Sequence, residues 1–133
     1  MEAGSEFRAA LERALEEAAA DERIGPALCA TKLRMRFEFT DLGLTLNVAA
    51  SDQALEWTFG SAEWEPKLTL AMTSEVANRY LLGQESLAIA IARGKVRVSG
   101  ESRVALLYLP ATRLLCEPYR RVVTSTFPVL AAT

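Results

Sequence analysis

The stretch KLTLAMTSEVANRYLLGQ, residues 67–84, changes its hydrophobic period within one segment. Its first part, KLTLAMT, has leucine or methionine at every second position, which is the pattern of a strand with one buried face. Thr73 or Ser74 can cap a helix, and apolar residues after them recur at intervals of four. Gly83 stands where a helix commonly ends on a left-handed residue. The stretch therefore predicts a strand that leads directly into a short helix.

A second change of period follows in ARGKVRVSGESRVALL, residues 92–107. Gly94 ends a short helix predicted over QESLAIAIA, although LAIAIA also alternates and leaves a strand open there. The valines of KVRVS alternate with polar residues, so we expect a last strand with Val96 and Val98 facing inward. Gly100 lets the backbone turn without a Cβ penalty, and an apolar helix follows at once.

Prolines and glycines also mark the outer parts of the chain. A helix is predicted over residues 5–20, and the glycine–proline pair in IGPAL, residues 24–28, is expected to end it. The preceding GSEF matches either a cloning remnant or a native helix start with Ser5 as N-cap. Pro110 is expected to kink the last helix or to start a new one, and Pro118 to end or bend it again.

The middle of the chain predicts a sheet. LRMRFEFT, LTLNVAA and LEWTF each alternate apolar and polar residues, and the short links DLG and SDQA join them. Strict period two indicates strands with one buried and one solvated face. Because the links are too short for a crossover, we expect an antiparallel meander.

The composition excludes several classes of protein. The chain has 133 residues, of which 50% are hydrophobic and 24% charged, so we expect one globular domain. A net charge of −2 without a basic block argues against a nucleic-acid partner. No apolar run is long enough for a membrane span and no signal peptide is recognisable, which predicts a cytoplasmic protein.

Reactive residues are few. Histidine is absent, which removes the commonest general base and metal ligand. Cys29 and Cys116 are too distant to form a zinc site alone and are expected to be small buried apolar residues. Glu63 and Glu65, near two tryptophans, could form an acid–base pair, but solvated loop charges are the simpler interpretation. We therefore predict no enzymatic activity, no metal and no cofactor.

The order of these elements resembles the sterol carrier protein type-2 domain family. In that family a strand runs into a Thr/Ser-capped helix closed by glycine, and a Gly-Lys-hydrophobic-x-hydrophobic-x-Gly segment precedes a leucine-rich helix. The resemblance covers about residues 5–116, and the chain looks like a free-standing bacterial-type member. It departs from the family pattern at Pro110, which falls inside the last helix, and at Glu101, where the family often has Asp. The matching residues are Leu68, Leu70, Met72, Ser74, Leu81, Gly83, Gly94, Lys95, Val96, Val98, Gly100, Ala105 and Leu106.

The resemblance implies an α+β fold with a five-stranded, mostly antiparallel sheet. The N-terminal helix, short helices before the last strand and a C-terminal helix would pack on one face and enclose an elongated apolar cavity. That cavity would hold a fatty acid, a fatty acyl-CoA, a sterol or a phospholipid, with no chemistry performed on it. The domain core is expected at about residues 5–123, with an apolar tail at 124–133. The residues expected to line the cavity are Phe37, Phe39, Leu70, Met72, Tyr80, Leu81, Leu87, Ile91, Leu107, Leu114 and Leu115.

Two interpretations of the interior stay open, because a helix over a cavity and a helix over a filled core need the same amphipathic sequence. One is a lipid carrier that opens near Gly83 and Gly94 and contacts membranes transiently. The other is a structural or interaction module with a filled interior, which could dimerise through the apolar tail. Arg120 and Arg121 could meet an anionic headgroup or a membrane, or could simply be solvated.

Overall fold

A five-stranded sheet organises residues 2–131, the part of the chain that the computed structural model describes. In chain order the strands are β1 (Arg34–Phe39), β2 (Leu44–Ala50), β3 (Leu55–Phe59), β4 (Leu68–Met72) and β5 (Arg97–Gly100). They lie side by side in the order β3-β2-β1-β4-β5. The strands β1 to β3 form the predicted antiparallel meander, whereas β4 pairs parallel with β1 and antiparallel with β5. The predicted α+β class and mostly antiparallel sheet are confirmed.

Helices cover one face of this sheet. They are α1 (Glu2–Ala20), α2 (Ile24–Thr31), α3 (Ser74–Leu81), α4 (Leu87–Ala92), α5 (Ser102–Thr112) and α6 (Cys116–Thr126). A 3₁₀ turn, Arg113–Leu115, joins α5 to α6, and another, Pro128–Ala131, ends the described chain. Since side chains alternate across a strand, the alternate apolar residues of the sheet point toward the helices. The buried members of that set are Met35, Phe39, Leu46, Val48, Ala50, Leu55, Leu68, Leu70 and Met72.

The junction between β4 and α3 forms as the sequence predicts. The Thr73 hydroxyl caps α3 by accepting a hydrogen bond from the Val76 N–H at 3.3 Å. The Asp41 carboxylate adds a second restraint, accepting from the backbone N–H of Ser74 at 2.7 Å and from its hydroxyl at 2.6 Å. Gly83 then adopts a φ of +83°, the left-handed conformation that ends the helix. The short β4–α3 connection is therefore held from both sides.

The glycine–proline pair of IGPAL was expected to end the first helix, but α1 already ends at Ala20 and the pair belongs to a second helix, α2. It lies in the first turn of α2, where a proline lacks only an N–H that has no partner within the helix. The Asp21 side chain accepts hydrogen bonds from two N–H groups at the start of α2, at 2.8 and 3.0 Å, and these bonds lower its pKa. A Cβ on Gly25 would lie 2.8 Å from the Ala19 carbonyl oxygen, so this glycine allows α2 to pack closely against the end of α1.

The other helix-boundary predictions also need correction. Ser5 is not an N-cap, because α1 already begins at Glu2. Pro110 lies inside α5, which continues to Thr112, so it starts no new helix; the alternative, a kink within the helix, stays a prediction. Pro118 falls in the first turn of α6, where proline is tolerated, so it neither ends nor bends that helix.

The last strand is shifted and more exposed than predicted. Val96 is buried but precedes β5, whereas Val98 is 36% exposed and so is not a core residue. Gly100, at the end of β5, has a φ of +124°, and a Cβ there would lie 2.3 Å from the Lys67 carbonyl oxygen. The corner therefore needs glycine both for its backbone conformation and for the close approach of the neighbouring chain.

The apolar tail packs on its own chain as far as residue 131. Residues 124–126 belong to α6, and Leu130 is buried. The Leu130 carbonyl accepts a hydrogen bond from the Asn78 side-chain amide at 2.8 Å, and the Tyr119 hydroxyl donates to the oxygen of the same Asn78 amide at 2.6 Å. The last two residues of the predicted tail lie outside the described residues.

Candidate functional site

A small apolar cavity lies between the helix-facing side of the sheet and helices α1, α3, α4 and α5. Its volume is about 30 Å³, and a second void beside it measures about 10 Å³. A void needs about 10–15 Å³ of such space to hold one water molecule, and ligand pockets usually measure about 300–1,000 Å³. The interior is therefore nearly filled in this conformation. The residues that line the larger void are Leu11, Phe37, Phe39, Leu46, Leu70, Met72, Ala77, Tyr80, Leu81, Leu87, Thr112 and Leu115.

Most of the predicted lining residues meet at this cavity, and three do not. Ile91 lies in a neighbouring groove, Leu107 is 53% exposed on α5, and half-buried Leu114 borders neither space. Leu107 does not face the cavity, because the side of α5 that faces the interior is centred on buried Tyr108. The residues brought together are Phe37, Phe39, Leu70, Met72, Tyr80, Leu81, Leu87 and Leu115.

Four further cavity residues were missed. Leu11 and Leu46 occupy apolar positions of correctly predicted elements, so their periodicity could have indicated them. Ala77 lies one turn before Leu81 on α3, a spacing that also places both on the same side. Thr112 carries no such signal, because a threonine in a helix is usually solvated.

The only side-chain polar atoms on this cavity's lining residues bond to each other. The Tyr80 hydroxyl and the Thr112 hydroxyl lie 2.7 Å apart, and Thr112 donates to the Leu109 carbonyl at 2.6 Å. Thr112 thus uses its proton on the backbone, which makes Tyr80 the donor to Thr112. Burial raises the pKa of Tyr80, so its hydroxyl stays protonated at neutral pH. The remaining wall is hydrocarbon and offers a ligand no ionic partner.

An open groove of about 1,080 Å³ adjoins the cavity and shares Tyr80 and Leu87 with it. Its walls are the connection between α3 and α4, the outer side of α4, the end of α5 and the start of α6. Its lining residues are Tyr80, Gly83, Gln84, Glu85, Ser86, Leu87, Ala88, Ile91, Leu109, Pro110, Arg113, Cys116, Glu117 and Arg120. Tyr80 and Leu87 therefore form the partition between an apolar interior and a polar surface groove.

Cys116 lies in the wall of the groove. Both cysteines are free and half-buried, so they are less buried than the sequence predicted. The Cys116 thiol lies 3.7 Å from the Tyr80 carbonyl oxygen and donates to it. Burial raises the pKa of this thiol, and nearby Arg120 and Arg113 oppose the shift. The thiol is therefore protonated at neutral pH and is not an activated nucleophile.

A separate shallow hollow of about 400 Å³ lies on the opposite face of the sheet, beside Trp57 and Trp64. Glu63 and Glu65 do not border it and are exposed, so the structure does not assemble the acid–base pair considered from the sequence. Buried Asn47 forms its floor and bonds through Nδ2 to the Gly60 carbonyl at 2.7 Å. Its amide ties the sheet to the following loop, which is a structural role.

Within residues 2–131, no group of three or more Cys, Asp or Glu side chains is arranged to hold a metal ion. The helices in this part of the chain are all too short or too polar to cross a bilayer.

Solved structures resemble this chain at low sequence identity. Sterol carrier protein 2 from Yarrowia lipolytica, in its apo form, matches with a TM-score of 0.61 and 12% identity over 86% of this chain and 88% of that one. UbiJ-SCP2, a ubiquinone synthesis protein, matches with a TM-score of 0.60 and 16% identity over 79% of this chain and 88% of that one.

A larger protein contains a structurally similar region. The sec-alkylsulfatase Pisa1 from Pseudomonas sp. matches with a TM-score of 0.55 and 16% identity over 64% of this chain, which spans only 13% of the alkylsulfatase. No family model matches this chain, and no curated protein matches it by sequence. The likeness to the two sterol carrier proteins covers 79% and 86% of this chain, which therefore has the sterol carrier protein type-2 fold.

Proposed function

We propose that this protein binds the apolar part of a lipid-like ligand between its sheet and its helices and transfers it without chemistry. The ligand classes are a fatty acid, a fatty acyl-CoA, a sterol or a phospholipid. The observation that carries the proposal is a cavity wall that is apolar apart from the paired Tyr80 and Thr112 hydroxyls and that meets a surface groove at Tyr80 and Leu87. The likeness to sterol carrier proteins, a name that itself denotes lipid carriage, supports it at the level of fold.

The cavity must enlarge to admit such a ligand, and α4 is the element best suited to move. It has only six residues and lies between Gly83 and Gly94, which have φ values of +83° and +75°. Of its side chains only Leu87 and Ala90 are buried, while Ile89 is 51% exposed. Exposing one leucine costs about 1.5–3 kcal/mol, and each ligand methylene that becomes buried returns about 0.8 kcal/mol. A long acyl chain can therefore offset the cost of displacing α4.

Leu87 has a central part in this mechanism. Its side chain borders both the cavity and the groove, so an outward movement of α4 joins the two spaces. The ligand chain would then replace Leu87 against Leu70 and Met72 of the sheet. Transient contact with a membrane would let the chain pass from bilayer to protein without crossing water.

Ligand binding is tested first on the purified protein. Native mass spectrometry with extraction of any released lipid identifies a copurified ligand, and titration with a fluorescent long-chain fatty acid measures uptake. We expect saturable uptake at one site per chain. A protein that carries no lipid and takes up none of several fatty acids, sterols and phospholipids would refute the proposal.

Two matched variants place the site. Leu87→Trp inserts a larger side chain at the partition, and we expect it to weaken uptake by roughly tenfold or more. Leu106→Trp makes the same change on α5, where the leucine is 82% exposed, and should leave uptake unchanged. Equal uptake by the two variants would show that the fatty acid binds elsewhere. Their urea unfolding midpoints serve as the control for folding.

A second candidate is an interaction module with a permanently filled interior, and the 30 Å³ cavity favours it. The tail could supply part of the interface through Val129, which is 53% exposed, whereas Leu130 is buried in the core. In that case the chain would self-associate without taking up lipid. Light scattering of the full chain and of Val129→Asp distinguishes the candidates: a dimer lost in the variant, with no lipid uptake in either, supports the module.

A further inference from the structure

Two arginines in the groove lack carboxylate partners, unlike the paired basic residues nearby. Arg113 and Arg120 line the groove, and neither has a carboxylate within 4.0 Å in the described part of the chain. By contrast, Arg79 and Lys95 both pair with Glu85, at 3.2 and 3.6 Å. An exposed arginine without a partner in a groove offers its planar donors to an anion from solution.

Arg113 and Arg120 both line the groove on either side of Cys116. Arg113 precedes Cys116 by three positions and Arg120 follows it by four, so all three lie on one face of the turn into α6. Both arginines act electrostatically on the Cys116 thiol. In addition, Nη1 of Arg120 lies 3.4 Å from the position that a Cβ would occupy on Gly83. The Arg120 charge therefore lies at the connection between α3 and α4, and Arg113 lines the same groove.

The acidic residues of the groove do not neutralise these charges. The Glu85 side chain is only 7% exposed and is held by its two basic partners. Glu117 pairs with Arg121 at 2.9 Å and with Arg23 at 3.8 Å. The groove is left with an unpaired positive end beside an apolar floor of Tyr80, Leu87, Ile91 and Leu109.

The structure also separates two arginines that are neighbours in sequence. Arg121 turns away from the groove and pairs with Glu17 at 3.6 Å as well as with Glu117. It is therefore a structural link between α1 and α6, whereas Arg120 faces the groove. Adjacent residues on a helix point about 100° apart, which explains the difference.

We infer that Arg113 and Arg120 bind the carboxylate or phosphate headgroup of an anionic amphiphile whose chain enters the cavity past Leu87. This inference rests on the proposed function and narrows its ligand class to lipids with an anionic headgroup, in preference to uncharged sterols. Arginine suits this role because its fork of N–H donors matches both carboxylate and phosphate oxygens.

The test compares two probes that differ only in headgroup charge: a fluorescent long-chain fatty acid and its methyl ester. We expect the natural protein to bind the acid roughly tenfold more tightly than the ester at low salt. In the double variant Arg113→Gln/Arg120→Gln this preference should disappear, with ester affinity unchanged. The matched control Arg97→Gln/Arg103→Gln removes the same net charge at two exposed arginines outside the groove and should keep the preference. Both arginine pairs are exposed, and urea midpoints confirm that the variants fold.

The outcomes distinguish a failure of the headgroup site from a failure of the proposed lipid-binding function. Equal binding of acid and ester by the natural protein, or a preference that survives in Arg113→Gln/Arg120→Gln, overturns the headgroup site while lipid binding stands. Failure of both probes to bind overturns the proposed function and the headgroup site together. Inorganic phosphate is the third probe: if it binds through Arg113 and Arg120 while the fatty acid does not, the site serves a free oxyanion and the inference is wrong.

Discussion

The two sides of the helical layer differ sharply in packing. On one side, α1 lies against α6, and Ala10, Ala14, Leu15 and Ala18 of α1 are completely buried. On the other side, α4, β5 and the exposed face of α5 leave large apolar side chains in solvent. These exposed residues are Ile89, Val98, Leu106 and Leu107. The side with α1 and α6 therefore forms a fixed wall, and the side with α4, β5 and α5, here called the open side, is held by few buried contacts.

The chemistry of the residues accounts for this difference. The small alanines of α1 allow close helix packing, and the Phe7 ring meets Phe39 edge-on at 5.0 Å and Tyr119 at 6.4 Å. The α4 segment has only six residues, lies between two left-handed glycines and buries only Leu87 and Ala90, so few buried contacts hold it. Regions with few buried apolar contacts open at lower free energy than the core. The less buried side is accordingly where a ligand would pass.

The largest expected effect lies in the fixed wall. Phe7→Ala removes a buried ring that contacts both the sheet and α6, and we expect it to lower the free energy of unfolding by about 3–5 kcal/mol. Urea denaturation followed by circular dichroism measures the change. A loss below about 1 kcal/mol would show that α1 is not part of the cooperative core.

The second effect tests the tight corner at Gly100, on the open side. Gly100→Ala introduces a Cβ 2.3 Å from the Lys67 carbonyl at a φ of +124°, and we expect a loss of the order of 3 kcal/mol. Gly94→Ala is the matched control, because its φ is +75° but no atom lies within 4 Å of the added Cβ. It should cost only about 1 kcal/mol. Similar losses in the two variants would mean that the close approach at Gly100 is unimportant.

A third, smaller effect concerns pH and the buried Tyr119. Burial raises the pKa of Tyr119 far above its usual value near 10, so the folded state retains the proton that the unfolded chain releases. Its contribution is therefore intact below pH 10 and is lost as pH rises further, with a slope approaching about 1.4 kcal/mol per pH unit. Tyr119→Phe should cost about 1 kcal/mol at pH 7, because the hydrogen bond to Asn78 is lost.

The pH profile checks the cause of that effect. Between pH 8, 10 and 11 the urea midpoints should fall more steeply for the natural protein than for Tyr119→Phe. Some decrease should remain in both proteins, because burial also raises the pKa of Tyr80. Parallel profiles for the two proteins would assign the alkaline loss of stability to other groups.

The smallest expected effect lies on the open side. Leu106→Ala removes a leucine that is 82% exposed, and we expect the free energy of unfolding to change by no more than about 0.5 kcal/mol. The measurement is the same urea titration as for Phe7→Ala. A loss comparable to that variant would show that α5 is covered in solution by a second chain or by the tail, and that the contrast between the two sides is smaller than the structure indicates.

Short-range patterns were enough to predict much of the fold. Period two located the strands, and the Thr73 cap and Gly83 bounded α3 as expected. The predictions failed where one residue type serves two local conformations. A proline in the first turn of a helix and a proline that ends a helix look alike in sequence, so Pro26 and Pro118 were both misread.

The candidate site was predicted in part for the same reason. Alternation places Leu70 and Met72 on the buried face of β4 whatever lies above them, and both border the cavity. Leu107 and Val98 belong to equally apolar patterns, but their exposure depends on how far neighbouring helices extend over them. The separate roles of Arg120 and Arg121 likewise depend on α1, which carries Glu17 and lies far away in the chain.

The sequence by itself determined the succession of the five strands and of most helices along the chain, the buried face of most strands and the absence of histidine chemistry, because these follow from local periodicity and composition. Only the tertiary structure decided the volume of the cavity, the partition at Tyr80 and Leu87, and the pairing that leaves Arg113 and Arg120 without carboxylate partners. The physical reason is that volume and ion pairing depend on distances between segments that are remote in the chain, and hydrophobic periodicity carries no information about those distances.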